Sequence, residues 1–173
     1  MSNLGFKFMA AEFKIRDAIR SPKKAIKEAG IKPGFNVLDY GCGSGSYVLA
    51  VSELIGENGK LYALDMLPVA IDTVKKLAKK NKLRNVETIL SDGNTGLPGN
   101  TVDVVLLYDA GPLHDLDYQN AILQELHRVL KPKGILSFSS HHVKEADIIS
   151  AITNQNLFKL LKKGAHTYSF IKV

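Results

Sequence analysis

Val37-Leu38-Asp39-Tyr40-Gly41-Cys42-Gly43-Ser44-Gly45-Ser46-Tyr47 is the stretch on which the fold turns, because an apolar run meets an acid and then breaks into three alternate glycines. The run Val37-Leu38 is too apolar for an exposed loop and reads as the end of a buried strand. Gly41, Gly43 and Gly45 remove side chains where a backbone must bend sharply or come close to a ligand. Beyond them Val48, Val51, Leu54 and Ile55 recur at three- and four-residue spacing, which is the period of a helix face. Strand, glycine turn and helix therefore follow in that order, and in open α/β sheets this junction is where a small ligand sits.

The turn itself narrows the ligand. A dinucleotide fingerprint is G-x-G-x-x-G, with the pyrophosphate resting on the helix N-terminus. This chain has G-x-G-x-G instead, and Asp39 stands just before it. An anion there repels a pyrophosphate and can hold a cation. With its flanks, V-L-D-Y-G-C-G-S-G resembles the first motif of the class I S-adenosylmethionine-dependent methyltransferases. The resemblance implies that Tyr40, Gly41, Gly43 and Gly45 pass beneath the methionine portion of that cofactor, and that Asp39 helps hold its amino-acid end.

Outward from this turn the chain alternates. Strand-like segments are Asn36 to Asp39, Leu61 to Leu64, Val86 to Leu90, Val102 to Tyr108 and Ile135 to Ser139. Helical patterns lie between them: Pro68 to about Asn81, with proline at a favourable first position, and Tyr118 to Leu130, with Asp117 as cap and Lys131-Pro132-Lys133-Gly134 as stop. A helix over about Lys144 to Asn154 follows, then a hairpin of Phe158 to Lys162 with Thr167 to Val173 around Lys163-Gly164. Five strands in a strand-helix rhythm imply a parallel sheet with helices on both faces, and the hairpin makes the final strand antiparallel. The expected fold is a Rossmann-like three-layer α/β/α sandwich with a seven-stranded, mostly parallel sheet, and the resemblance covers about residues 33 to 173. One compact domain is expected, with residues 1–30 as a helical cap and 31–173 as the cofactor-binding part. Phe6, Phe8, Met9 and Phe13 give the cap an apolar face, suited either to a lid over the cofactor edge or to ordinary packing.

Four successive strands end on an acid: Asp39, Asp65, Asp92 and Asp109. In a parallel sheet these ends share one edge, although aspartate is also a common turn and cap residue. Asp65 comes twenty residues after Gly45, where a carboxylate can accept hydrogen bonds from both hydroxyls of an adenosine ribose. By resemblance, Met66 lies against the adenine, although packing in the core is an equal reading for a methionine. Asp92 with Gly93 contacts the exocyclic amine, and Asp109 borders the cofactor.

The loop Leu106-Leu107-Tyr108-Asp109-Ala110-Gly111-Pro112-Leu113-His114 is where that family faces its acceptor. It lacks the N-P-P-Y or D-P-P-Y run of members that methylate base amines, and Leu113-His114 is similar to the quinone-biosynthesis, small-molecule branch. If the acceptor carries an acidic proton, Asp109, His114 and His142 are the candidate bases, since imidazole titrates near neutral pH. His114, His141 and His142 have no metal-ligand spacing, so no metal is expected. Cys42 reads as a small side chain filling the turn rather than a nucleophile.

Composition bounds the remainder. The 173 residues are 45% hydrophobic, enough for one full core, and the single cysteine excludes an internal disulfide. Charges interrupt the N-terminal residues and no stretch is apolar enough to span a bilayer, so a cytoplasmic protein without a membrane partner is expected. The net charge of +6 is spread over groups such as Lys75-Lys76, Lys79-Lys80, Lys82 and Arg84, which read as solvated faces. The expected activity is methyl transfer from S-adenosylmethionine to a small-molecule acceptor, by a monomer or homodimer. RNA or another nucleic acid as acceptor is the alternative, and a nucleotide-binding oxidoreductase or non-catalytic binder is a more distant one.

Overall fold

The computed structural model of the chain describes residues 22–108, 116–140 and 144–173. Seven strands form one sheet: β1 Asn36–Tyr40, β2 Lys60–Asp65, β3 Val86–Leu90, β4 Val102–Tyr108, β5 Leu130–Ser139, β6 Phe158–Lys163 and β7 Tyr168–Lys172. Their order across the sheet is β3-β2-β1-β4-β5-β7-β6. The first five pair in parallel, and β7 is antiparallel to both β5 and β6. Since β6 thus runs with the first five, β7 alone is reversed. Five helices are described: α1 Pro22–Glu28 precedes β1, and α2 Val48–Ile55, α3 Pro68–Lys80, α4 Leu116–Val129 and α5 Glu145–Thr153 lie between strands.

Alternation along the strands divides the core between two faces. Val37, Val104 and Leu106 pack with Ile26 of α1, Val48, Val51 and Ile55 of α2, and Ile71 and Val74 of α3. Their sequence neighbours Leu38, Val105 and Leu107 point the other way, onto Leu123 and Leu126 of α4 and Ile148 and Ile152 of α5. A strand covered on both faces needs apolar residues at every position, and this explains why β4 reads as an almost unbroken apolar run. Its one interruption, Asp103, accepts from the Asn36 amide at 2.8 Å and pairs with Lys131 Nζ at 2.7 Å.

The expected seven-stranded α/β/α sandwich is the observed one, with two local differences. Strand β5 starts at Leu130, not Ile135. Val102 pairs with Leu130 and Val104 with Ile135, so the Lys131-Pro132-Lys133-Gly134 turn bulges out within the strand. Lys133 takes a φ of 63° there, and a Cβ on Gly134 would lie 2.8 Å from the Lys131 carbonyl oxygen. Helix α4 starts at Leu116, so Asp117 stands inside its first turn instead of capping it. Helix α3 has proline at its first position but no side-chain cap; the Leu67 amide before it donates to Asp65 Oδ1 at 2.9 Å.

Candidate functional site

The C-terminal ends of the parallel strands form one edge, and the glycine turn lies at its centre. Gly41, Gly43 and Gly45 all take positive φ, at 82°, 51° and 81°. The amides of Gly41 and Cys42 donate to the Leu64 carbonyl at 2.8 and 2.9 Å, tying the turn to the end of β2. At Gly45 a Cβ would lie 3.2 Å from Leu77 and 3.3 Å from Val74, so this glycine lets α3 approach the turn.

Asp39 lies one residue before the end of β1 and is 2% exposed, and its Oδ2 finds no hydrogen-bond donor among the described residues. Burial first, and the neighbouring Asp65 second, push its carboxyl up to about 7. Asp65, at the end of β2, is buried but well partnered: Oδ2 accepts from the Gly43 amide and Oδ1 from the Leu67 amide, each at 2.9 Å. Each carboxylate oxygen can accept more than one hydrogen bond, so this bracing role leaves lone pairs free to face a ligand. The sequence marked Asp65 as a ligand contact and gave no sign that it also braces the turn.

Met66 is 60% exposed, which removes the core-packing reading. Leu90 at the end of β3, opposite Asp65 in register, is 56% exposed, so two large apolar side chains stand in the open at this edge. Leu90 was missed because it completes an apolar strand pattern; only its position directly before the Ser91-Asp92 turn marks it out. Asp92 is exposed, and a Cβ on Gly93 would lie 3.5 Å from the Tyr40 hydroxyl. Tyr40 itself is buried in the core on the α4 and α5 side. Cys42 is buried, and burial, with Asp39 and Asp65 nearby, raises its thiol well above the ordinary range, which suits a turn filler and not a thiolate. On β4, the Tyr108 hydroxyl lies 2.7 Å from Ser137 Oγ, and its ring meets Tyr47 edge-on at 5.0 Å. Asp109, His114, His141 and His142, and the cap residues Phe6, Phe8, Met9 and Phe13, lie outside the described residues.

The loop after β3 is held from α4. Glu125 Oε1 accepts from the Thr95 amide at 2.9 Å and its hydroxyl at 2.6 Å, and Arg128 donates to the same carboxylate at 2.7 and 2.8 Å. The Arg128 hydrogen bonds foremost, opposed by partial burial and aided by Thr95, hold the Glu125 carboxyl down to about 2. A depressed carboxyl stabilises the fold above its unfolded value of 4.5, and that contribution is lost as pH falls toward about 2. Glu125→Gln is expected to lower stability at pH 7 by about 1–3 kcal/mol. The difference should close between pH 4.5 and 2 in chemical denaturation; a gap that persists unchanged at pH 2 contradicts the assignment.

Residues 31–170 match a family model described as a methyltransferase domain. The chain is 28% identical over 127 residues to a demethylmenaquinone methyltransferase of Geobacillus sp. (strain WCH70), covering 73% of this chain and 53% of that protein. It is 32% identical over 101 residues to a protein-L-isoaspartate O-methyltransferase of Methanococcus maripaludis, covering 58% of this chain and 46% of that protein. The chain thus spans about half the length of these curated relatives. Among solved structures, an S-adenosylmethionine-dependent methyltransferase from Aquifex aeolicus superposes with a TM-score of 0.70 at 26% identity, covering 88% of each chain. With a glycine turn, a preceding buried acid and this strand order already in place, the match over residues 31–170 establishes that the chain belongs to the methyltransferase domain family, in its class I, S-adenosylmethionine-dependent form.

Proposed function

We propose that this protein transfers a methyl group from S-adenosylmethionine to a small-molecule acceptor in the cytoplasm, as a monomer or homodimer. The observation that carries the cofactor reading is Asp39. A buried carboxylate oxygen without a donor, next to a second carboxylate, is costly unless a cation sits beside it. The ammonium of a methionine portion is such a cation, whereas a pyrophosphate would add further negative charge. When bound, S-adenosylmethionine supplies a methyl group already activated on a sulfonium.

The chain's own task is then to bind, orient and exclude water. In this reading Asp39 accepts from the ammonium, and Tyr40, Gly41, Gly43 and Gly45 shape the turn that receives it. The spare lone pairs of Asp65 take the ribose hydroxyls. Met66 and Leu90 offer apolar contact to the adenine, whose edge meets Asp92 and Gly93, and Asp109 borders the cofactor. Asp109, His114 and His142 remain the candidate bases for an acceptor that must lose a proton, and the division into a cap of residues 1–30 and a cofactor part of 31–173 belongs to the same proposal. Among the described residues no helix is long and apolar enough to cross a membrane.

A thermal-shift panel tests the cofactor. At ligand near 100 times its dissociation constant, selective binding to the folded state is worth about 2.7 kcal/mol, or roughly 5–10 °C for a domain of this size. S-adenosylhomocysteine should give that shift, and NAD, NADP and ATP far less. Strong stabilisation by NAD with none by S-adenosylhomocysteine would sink the reading. Labelled-methyl transfer then tests the acceptor: incorporation into a metabolite extract is expected, and incorporation into RNA with a steep salt dependence, or into protein, would replace it.

A further inference from the structure

Glu28, the last residue of α1, reaches across 137 to 139 positions of sequence to the turn between β6 and β7. Its carboxylate accepts from three consecutive amides, Ala165 at 3.2 Å, His166 at 2.9 Å and Thr167 at 3.0 Å, and from the Thr167 hydroxyl at 3.1 Å. The turn does not need this to close, because the Gly164 amide already donates to the Thr167 carbonyl at 2.8 Å. The carboxylate instead fixes where the closed turn sits relative to α1. A Cβ at position 164 would press on the Glu28 carboxylate, so a side chain there pushes that carboxylate off its place on the turn.

The turn occupies a consequential place. β7 is antiparallel to β5 and Tyr168 pairs with Phe138, so residues 164–167 lie just beyond the end of β5, at the same sheet edge as the glycine turn. Ser139 Oγ, from that end of β5, donates to the His166 carbonyl at 3.0 Å. Tyr108 and Ser139 are paired in register, and the Tyr108 hydroxyl also lies 3.4 Å from the Ala25 carbonyl of α1. Helix α1 is therefore joined to the end of β4 through Ala25 and to the β6–β7 turn through Glu28. The turn presents an exposed His166 on the side of the edge away from β2 and β3, where the adenosine contacts are placed.

We propose that Glu28 is a positioning residue for the acceptor side of the site, setting the 164–167 turn and its exposed His166 against the ends of β4 and β5. This rests on the methyl-transfer reading above, and the two are tested separately. Calorimetry with S-adenosylhomocysteine addresses that reading; wild-type protein that does not bind it refutes the reading and this proposal together. Given binding, Glu28→Ala and Gly164→Ala should both retain it within about threefold, because neither residue faces the glycine turn. In labelled-methyl transfer to a dilution series of metabolite extract, each variant should raise the apparent KM for extract about tenfold or more with a smaller change in kcat. Glu28→Asp, which keeps the acceptors on a shorter arm, should recover part of the loss.

Amide hydrogen exchange supplies a readout that needs no acceptor: residues 165–167 should exchange faster in Glu28→Ala and Gly164→Ala alike. Asp103→Ala, which breaks the Asn36 and Lys131 contacts at the opposite edge, is the control for destabilisation alone. Wild-type transfer kinetics in Glu28→Ala would overturn the proposal, as would a KM change in Asp103→Ala equal to that in Glu28→Ala at matched melting temperature. Unchanged exchange at 165–167 in Glu28→Ala would also overturn it.

Discussion

Gly43→Val is expected to abolish S-adenosylhomocysteine binding, lowering affinity by about 100-fold or more, while leaving a folded protein. Gly43 is buried, takes a φ of 51°, and donates its amide to Asp65. A left-handed conformation costs an ordinary residue about 1–2 kcal/mol, and a β-branched side chain, stiff at χ1, is a true outlier there. The simplest relief is for the turn to rotate toward negative φ, which breaks the amide's bond to Asp65 and moves the backbone from beneath the ligand. Gly43→Ala should fall between the two, since it brings the strain with less bulk. Titration calorimetry beside a thermal melt separates binding from folding. Normal affinity in a well-folded Gly43→Val protein would show that the ligand lies elsewhere.

The contrast between Gly43 and Glu28 shows what the sequence could and could not disclose. Alternate glycines after a buried strand leave a local trace, because backbone conformation and close approach constrain residue type in place. The two-sided burial of β4 does the same, since every position is apolar except Asp103. The parallel pairing followed from the strand-helix rhythm and the reversal of the last strand from the short final hairpin, both local facts. Glu28 carries no comparable mark: one carboxylate meeting three amides more than 130 residues away disturbs no periodicity. The bulge in β5 was obscured for a related reason. Lys131-Pro132-Lys133-Gly134 has true turn chemistry, and pairing with β4 on either side, not composition, keeps it within the strand.

The cofactor edge divides in the same way. Asp39 and Asp65 could be found from the strand ends, but not that Asp39 Oδ2 has no donor among the described residues while Asp65 braces the turn. That depends on which amides face each carboxylate, which only the folded loops determine. Met66 was open between core and ligand edge because methionine suits both, and its 60% exposure decides against the core.

Asp39→Asn is expected to make the ligand-free protein's stability less dependent on pH and to cost it most of its affinity for S-adenosylhomocysteine. In the folded protein the Asp39 carboxyl stands at about 7, against 3.8 when unperturbed. Between those values the folded chain holds a proton that the unfolded chain has released, so stability falls as pH rises through this window and stays low above it. The full effect is on the order of 2–4 kcal/mol. Asparagine does not titrate, so the slope contributed by this site disappears, whatever constant offset its buried amide introduces. Binding should move in the opposite sense. An ammonium pairs with the ionised carboxylate, so wild-type affinity should rise with pH up to about 7 and level off, with a proton released on binding below that value. Asp39→Asn should show neither the rise nor the release, and its affinity at pH 8 should be about 10- to 100-fold weaker, the usual loss when a charge-assisted bond is removed. Denaturant melts from pH 4 to 8, and calorimetry in buffers of different ionisation enthalpy, measure the two halves independently. An identical pH slope in both proteins would remove Asp39 as the buried titrating group, and unchanged affinity at pH 8 would remove it as the partner of a cation.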